Sequence, residues 1–284
     1  MMKALQNIID LMQLEKDNDS VFIGATQDVL GTGRVFGGLT LAQSLMAMSL
    51  TCPDRHLHSL HAYFMRPGDT QTSTYYQVEN LRDGAGFSTR SVLACQHDRP
   101  IFTMQGSFQK LETGVEHQDF MPNVPRPEQL VSLEVIKRTM LDRMPEQVAL
   151  RWQKEQPFDI RPVEHFKEEI AYHQAKRHIW FKANGQIPNH QALHQALLLY
   201  VSDFYLLLTA LLPHGLNALN PDLRVASLDH AMWFHREVNM NDWVLYCMDS
   251  PNAAGARGFS RGQFYNIEGH LIASTAQEGL IRHL

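Results

Sequence analysis

The sequence is poor in features that mark secreted or nucleic-acid-binding proteins. It has three cysteines in 284 residues, Cys52, Cys95 and Cys247, and no two of them form a CxxC pair. An odd number of widely spaced cysteines is typical of reduced thiols, not of a disulfide framework. The formal net charge of −5 at pH 7 leaves no basic field to attract nucleic acid, so we expect no nucleic-acid partner.

The sequence also lacks the signals of export and of common cofactor sites. Residues 1–19 alternate apolar and charged side chains, whereas a signal peptide needs an unbroken apolar segment before its cleavage site. We therefore expect a cytoplasmic protein. No HExxH or Cys-His zinc spacing occurs, and the glycine-rich residues 31–38 lack the GK[ST] ending of a P-loop. The sequence therefore predicts neither a metal site nor a cofactor.

Long apolar runs are scarce, and the most apolar segment contains an acid. In residues 190–213 Asp203 lies near the middle, and the apolar runs beside it are shorter than the roughly 20 residues of a membrane span. A helix that is apolar on every face is typical of a protein core, where an ionised carboxylate is costly unless it is paired. Two explanations stay open for Asp203: a cap or ion pair in the core, or a general base whose pKa is raised by burial.

The order of predicted elements repeats along the chain. The first half has an amphipathic helix and a short strand, then a helix at residues 39–50 and four strands within residues 57–112. The second half has two strands before the apolar helix and strand-forming runs after it. Similar sequences recur at matching places: SLHAYFMRP at 59–67 with SLDHAMWFHRE at 227–237, and GFSTR at 86–90 with GFSRG at 258–262. The chain is therefore interpreted as a duplicated unit.

This duplication defines the predicted domain organisation. We predict an N-terminal module at residues 1–115, a connector with short helices at residues 116–156, and a C-terminal module at residues 157–284. Each module is expected to be an α+β unit, in which a helix packs on an antiparallel sheet. The C-terminal module contains Asp203 and is expected to carry the chemistry.

One motif suggests a different hydrolase. GFSRG at residues 258–262 matches the G-x-S-x-G pattern of a nucleophile elbow, in which Ser260 would be the nucleophile. That elbow joins a strand to a helix, whereas the flanks of GFSRG predict a β-hairpin. Too little chain follows to complete that fold, so we interpret GFSRG as part of a strand.

Eight short motifs together carry a resemblance to a known family. They are RVFGG (34–38), HSLHAYFMRPGD (58–69), LRDGAGFSTR (81–90), WFKANG (180–185), YVSDF (200–204), DHAMWFHR (229–236), ARGFSRGQFY (256–265) and STAQEG (274–279). In their order and spacing the chain resembles the acyl-CoA thioesterase II family, which includes bacterial and peroxisomal acyl-CoA thioesterases, and the resemblance covers nearly the whole chain. It implies an α+β double hotdog fold, in which two antiparallel sheets, each wrapped around a helix, join across a pseudo-twofold axis.

The resemblance also implies a catalytic set. The family's acid falls on Asp203 in YVSDF, its hydroxyl residue on Ser227 in VASLDH, and its amide on Gln277 in STAQEG. Bacterial members have threonine at the position of Ser227 and peroxisomal members have serine, so the hydroxyl group is kept. The helix of the first module has Gln43 and Ser44 where an acid would be expected, which implies one active centre per chain.

Further positions are predicted to bind the substrate. The glycine turn at Gly37 and Gly38 offers backbone N–H groups for an oxyanion, and the chain at 192–196 is a second choice. His58 is a predicted residue of the substrate pocket.

The reaction that the resemblance implies is hydrolysis of medium- to long-chain acyl-CoA thioesters to fatty acid and CoA. Asp203 would activate a water that Ser227 and Gln277 hold in place. Acyl-CoA is the expected partner, without a membrane span, and exposed sheet edges lead us to expect a homo-oligomer. Two alternatives stay open: a hotdog enoyl-CoA hydratase and a non-catalytic acyl-CoA-binding module.

Overall fold

Two buried helices and the sheet around them dominate the structure. This computed structural model describes residues 3–140, 155–164, 174–216, 220 and 222–283. The chain begins with helix α1 (Lys3–Leu11) and the short strands β1 (Glu15–Lys16) and β2 (Val21–Gly24). The N-terminal half continues with helix α2 (Gly37–Leu50) and strands β3 (His56–Phe64), β4 (Thr74–Asp83), β5 (Phe87–Gln96) and β6 (Arg99–Gln109).

The second half repeats this plan after a connector. The connector has a 3-10 turn (Pro127–Gln129) and helix α3 (Leu133–Met140), and most of the helix predicted at 148–156 lies outside the described residues. Strands β7 (Phe158–Pro162) and β8 (Lys176–Ala183) follow, then helix α4 (Gln191–Ser202), helix α5 (Leu206–Thr209) and a 3-10 turn (Leu212–His214). The chain ends with β9 (Leu223–Ser227), β10 (Asp229–Phe234), β11 (Val244–Ala254), β12 (Arg257–Asn266) and β13 (Leu271–His283).

The described strands form one continuous antiparallel sheet. Their order is β1-β2-β4-β5-β6-β3-β10-β13-β12-β11-β8-β7, and β9 pairs with β13. The two halves meet where β3 pairs with β10, with Leu60 opposite Met232. The order mirrors itself about this pair, as a pseudo-twofold duplication requires. The boundaries predicted at 1–115, 116–156 and 157–284 remain a prediction, since the sheet runs through both halves.

Helices α2 and α4 contact each other and lie under the sheet. Their sequences, GGLTLAQSLMAMSL and QALHQALLLYVS, are apolar on nearly every side, and the residues from Leu193 onward in α4 are buried. A helix covered by both a sheet and another helix has no solvent-facing stripe, which explains the weak amphipathic pattern. The strands show the complementary pattern, because buried and partly exposed residues alternate along β5.

One segment passes a test for crossing a membrane. Among the described residues, Gln191–His214 is long and apolar enough by length and composition, with a mean hydropathy of 1.8. The short runs beside Asp203 therefore do not exclude a span by themselves. In the structure 67% of the most apolar 18-residue stretch of this segment is buried inside the protein. The apolar side chains of this segment thus pack in the core.

Asp203 lies at the end of a helix, not inside one. We predicted one helix over residues 190–213, and this prediction is wrong because α4 ends at Ser202 and Asp203 is its C-cap. Tyr205 then adopts a left-handed conformation, with φ 63°, before α5 begins. The Tyr246 hydroxyl donates to the Ser202 carbonyl at 2.9 Å, which satisfies a backbone group near the helix end.

The corresponding helix of the first half ends differently. The C-cap of α2 is Thr51, and Arg90, which is only 3% exposed, donates from Nε to Thr51 Oγ1 at 3.0 Å. Arg90 also donates to Asp83 Oδ1 at 2.8 Å. Gln43 lies inside α2, where its amide donates to two backbone carbonyls. The end of α2 therefore has a hydroxyl and a buried cation in the place that Asp203 takes in α4.

Candidate active site

Three side chains from separate elements meet at the end of α4. Asp203 is the C-cap of α4, Ser227 ends β9, and Gln277 lies on β13. The Ser227 hydroxyl donates to Asp203 Oδ1 at 3.2 Å, and the Gln277 amide nitrogen donates to the same oxygen at 2.9 Å. Pairing of β9 with β13, with Ser227 opposite Gly279, holds the two donors in a fixed relation. The structure thus brings together the three residues that the resemblance implied.

The first turn of α2 lies against the same carboxylate. The Gly38 backbone N–H lies close enough to Asp203 to lower the pKa of the carboxyl group. A Cβ atom on Gly37 would lie 2.7 Å from Asp203 Oδ2, and one on Gly38 would lie 2.5 Å from the Tyr200 carbonyl oxygen. Glycine at both positions therefore allows the start of α2 to approach the acid. Because α2 belongs to the first half of the chain, both halves build this site.

Burial is the main influence on the ionisation of Asp203. The pKa of Asp203 is raised from 3.8 to about 6. Loss of solvation is the largest cause, and hydrogen bonds from Gln277, Ser227 and the Gly38 backbone offset part of the rise. These three donors are neutral, and none of them is the basic partner of a core ion pair. Asp203 is therefore mostly ionised at neutral pH and is a stronger base than an exposed aspartate.

A cavity of about 990 Å³ is lined by Gly37, Asp203 and Ser227. Aromatic side chains add to the lining near the acid: Phe36, Phe64, Tyr200, Phe204 and Tyr205. Among the described residues, Arg34, Arg66 and Lys137 are the basic side chains that line it, and Asp28 and Glu155 are acidic ones. The cavity thus combines an apolar wall beside a base with charged groups of both signs elsewhere on its surface.

Three of the predicted substrate-binding positions do not line this cavity. The lining residues include Gly37 but not Gly38, His58 or the chain at 192–196. On β3 the His58 Nε2 lies 2.8 Å from Ser107 Oγ, and its ring packs edge-on against Phe87. Gly37 and Gly38 are therefore the predicted backbone groups that the structure places beside the acid. The binding role of His58 stays a prediction.

A second cavity, of about 730 Å³, has a polar lining that includes His194, Asn239 and Asn241. Asn241 bonds the Ile187 backbone on both sides, at 2.7 Å from the N–H and 3.2 Å from the carbonyl. The Asn241 amide therefore holds the loop at Ile187 in place. Asp203, Ser227 and Gln277 do not line this second cavity. Among the described residues, no group of three or more His, Cys, Asp or Glu side chains could hold a metal ion.

The polar residues behind Asp203 carry no role that the sequence alone predicts. His230 Nε2 lies 2.9 Å from Ser202 Oγ and 3.1 Å from Thr275 Oγ1, and all three side chains are buried. The available signal was weak, because the sequence shows a strand histidine but not its neighbours. Only the pairing of strands that are distant in the chain brings these side chains together.

Comparisons with known proteins point to one family. A family model described as acyl-CoA thioesterase matches residues 145–280, and one described as acyl-CoA thioesterase N-terminal domain matches residues 26–109. Acyl-CoA thioesterase 2 from Haemophilus influenzae is 43% identical over 285 residues, which cover 99% of each chain. The crystal structure of an acyl-CoA thioesterase II, TesB2, from Mycobacterium marinum is 35% identical, with a TM-score of 0.80 over 98% of each chain.

A more distant structure bears on the fold alone. A hot dog fold protein from Alicyclobacillus acidocaldarius is 17% identical, with a TM-score of 0.76 over 98% of each chain. The predicted double hotdog fold is therefore confirmed. The full-length similarity at 43% identity shows that this chain belongs to the acyl-CoA thioesterase II family and is a thioester hydrolase.

Proposed function

We propose that this enzyme hydrolyses medium- to long-chain acyl-CoA thioesters to fatty acid and CoA, with Asp203 as the general base. One observation carries the proposal: a carboxylate whose pKa burial raises to about 6 lies in the wall of a cavity of about 990 Å³. A general base is most effective when its pKa lies near the operating pH, and burial moves Asp203 towards it.

In the proposed reaction, Asp203 takes a proton from a water molecule as the water oxygen attacks the thioester carbonyl carbon. The carbon–sulfur bond then breaks, and the CoA thiolate leaves and takes up the proton held by Asp203. Ser227 and Gln277 hold the carboxylate through Oδ1, and in the proposal they also fix the position of the water. A thioester suits this route because its carbonyl is electrophilic and its thiolate is a good leaving group.

The start of α2 is the proposed site of oxyanion stabilisation. The backbone at Gly37 and Gly38 forms the first turn of a helix, where N–H groups and the helix dipole favour negative charge. The general base is typically worth 10²–10⁴ in rate, or roughly 3–5 kcal/mol. Donors to the oxyanion would add to that effect, since they act on charge that develops only in the transition state.

The lining of the cavity supports the proposed substrate class. Apolar side chains offer a path for an acyl chain: Ile8, Val29, Leu30, Leu207, Leu208 and Val225. Arg34 and Arg66 offer positive charge to the phosphates of CoA. The proposal therefore includes a preference for medium- to long-chain acyl groups.

The contacts of Asp203 favour a hydrolase over an enoyl-CoA hydratase. A hydratase of this fold uses an aspartate–histidine pair, whereas the side chains that bond Asp203 here are a serine hydroxyl and a glutamine amide. His230 bonds Ser202 and Thr275 instead.

The test is release of free thiol from acyl-CoA substrates of short to long chain. Asp203→Asn keeps the shape of the side chain and removes the base, so we expect the rate to fall by at least about 10². A mutant as fast as the wild type would refute Asp203 as the base. Loss of enoyl-CoA absorbance without thiol release would favour the hydratase, tight binding without turnover would favour the binding module, and a trapped acyl-protein adduct would favour a covalent route.

The predicted homo-oligomer belongs to the same proposal. Its support is general: strands at the ends of a sheet present unpaired backbone groups, and β1 and β7 end the main strand order here. Light scattering coupled to gel filtration would give the mass in solution, and a monomer would contradict the prediction. The cytoplasmic location likewise stays a prediction.

A further inference from the structure

Three buried polar side chains lie in a row across neighbouring strands behind Asp203. Ser260 on β12 is directly opposite Gln277 on β13. The pairing of β10 with β13 sets Ala231 opposite Ala276, so the next step along the strands brings His230 beside Gln277. His230 and Gln277 are each 1% exposed and Ser260 is 0% exposed. Side chains directly opposite each other in an antiparallel sheet are close enough to interact.

Each member of this row has a polar atom without a partner. His230 Nδ1, Gln277 Oε1 and Ser260 Oγ have no hydrogen-bond partner among the described residues, and so are not bonded to one another in this structure. The Gln277 side chain nevertheless lies close enough to His230 to raise the pKa of the ring against the effect of burial. A buried polar group without a partner is destabilising, and three such atoms in neighbouring side chains call for a common explanation. One acceptor and two potential donors are present, because an amide oxygen accepts while a hydroxyl and a protonated ring nitrogen donate.

We propose that His230 and Ser260 are positioning residues, which donate from Nδ1–H and Oγ–H to Gln277 Oε1 and so fix the Gln277 amide with its N–H group towards Asp203. The inference rests on the proposed function, in which Gln277 holds the catalytic carboxylate. With Oε1 held from behind, the amide cannot turn over and present its oxygen to the carboxylate. Such a turn would set two acceptors against each other beside the base.

The surroundings of the histidine ring are compatible with this role. Burial lowers the pKa of His230 to about 3, so the ring is neutral near pH 7 and carries one proton. Nε2 lies beside the Ser202 and Thr275 hydroxyl groups, which also donate to the Leu199 and Ala231 carbonyls at 2.7 and 2.8 Å. The proposal requires one of these hydroxyls to turn its proton to Nε2 instead. The single ring proton is then on Nδ1, where it can reach Gln277. The alternative tautomer would leave Nδ1 and Oε1 as two buried acceptors with one donor between them, the Ser260 hydroxyl.

The proposed role of Ser260 explains the serine of the GFSRG motif. The structure places this serine in the middle of β12, in a hairpin with β11, and not at an elbow between a strand and a helix. Its hydroxyl is buried beside Gln277, with no access to a substrate. The serine therefore acts on the amide and not as a nucleophile.

The first test reads the histidine tautomer in the wild-type enzyme. Long-range proton–nitrogen correlation spectra of protein with ¹⁵N-labelled histidine should show Nδ1-protonated His230, identified as the signal missing from His230→Asn. An Nε2-protonated ring would overturn the proposal. This measurement does not depend on activity, so it reports on the hydrogen bond even if the enzyme acts on another substrate.

The second test compares two substitutions of His230. Asn offers an N–H group near the position of Nδ1, so His230→Asn should stay within about threefold of wild-type kcat. Gln offers its polar group near Nε2, so His230→Gln should lose about tenfold or more in kcat with KM nearly unchanged. His235→Gln is the control, because it alters another histidine, whose Nε2 lies 2.9 Å from Ser274 Oγ, and it should keep wild-type kcat. Equal kcat for both His230 variants would overturn the role of His230.

Two further variants separate this inference from the proposed function. In a Gln277→Ala background, His230→Gln should have no additional effect on kcat, because the amide to be positioned is absent. Ser260→Ala should lower kcat by about threefold or more, and an unchanged kcat would remove Ser260 from the proposal. If Asp203→Asn and Gln277→Ala leave thiol release unchanged, the proposed function fails. If those two lose activity while His230→Gln does not, only the positioning fails.

Discussion

At the scale of single residues, Asp203 shows how a protein keeps a carboxylate reactive. Burial raises its pKa, and three neutral donors lower it, with a resulting value of about 6. A cationic partner would have pulled the pKa below its ordinary value. Ser227 and Gln277 therefore set the basicity of the acid as well as its position.

The pH dependence of kcat/KM should follow this balance. In the proposed mechanism Asp203 acts as a base only when ionised, so the rate should rise with pH, reach half its maximum near pH 6, and then level off. Ser227→Ala and Gln277→Ala each remove a donor that lowers the pKa, so their profiles should shift to higher pH. Rate profiles of the three proteins measure both effects. A wild-type rate that does not change across the range around pH 6 would show that ionisation of Asp203 does not control the rate.

The same burial makes the acid unfavourable for folding. The pKa of Asp203 is about 6 in the folded protein against 3.8 for the ordinary group, so its contribution to stability is present below about pH 4 and is lost as pH rises through 6. Asp203→Asn should therefore raise the free energy of unfolding near pH 8, by up to about 3 kcal/mol. The gain should disappear near pH 4. Urea unfolding of both proteins at the two pH values tests this, and a less stable mutant at the higher pH would contradict it.

At the scale of elements, the start of α2 is fitted to the acid. A Cβ atom at Gly37 would lie 2.7 Å from Asp203 Oδ2, so Gly37→Ala should displace the carboxylate and lower kcat by about tenfold or more. Gly114→Ala is the matched control, because no atom lies within 4 Å of its added Cβ. Thiol-release assays compare the two variants. Equal activity would show that the helix start tolerates a side chain there.

Local sequence patterns predicted the strands. Tertiary contacts determine the features that these patterns did not predict, such as the end of α4. The alternation in β5 is visible in the sequence because it depends on neighbouring residues alone. The end of α4 is not visible, since it involves a left-handed Tyr205 and a hydroxyl that Tyr246 supplies from β11. The resemblance supplied the three residues of the site. The row of His230, Gln277 and Ser260 depends on the register of three strands, which no local pattern contains.

At the scale of the whole molecule, one continuous sheet makes a single site from two halves. The C-terminal half supplies Asp203, Ser227 and Gln277, while the N-terminal half supplies Gly37 and Gly38. Helices α2 and α4 contact each other, so each covers apolar surface of the other. Neither half is expected to be an enzyme alone.

Separate expression of the halves tests this dependence. Residues 157–284 contain all three side chains around Asp203 but would expose the buried face of α4 and the edge of β10. We expect them to be inactive and prone to aggregation. Co-expression with residues 1–156 should restore thiol release. Wild-type activity of the C-terminal half alone would contradict the shared site.

Thr51, the C-cap residue of α2, lies where a second active centre would have to be engineered into this fold. The mirrored strand order offers a symmetric place for a second acid at Thr51. A carboxylate there would meet the Arg90 guanidinium, whose Nε lies 3.0 Å from Thr51 Oγ1, and the resulting ion pair would suppress its basicity. Restoring symmetry would therefore need at least two exchanges, one to add the acid and one to take away the cation that would silence it.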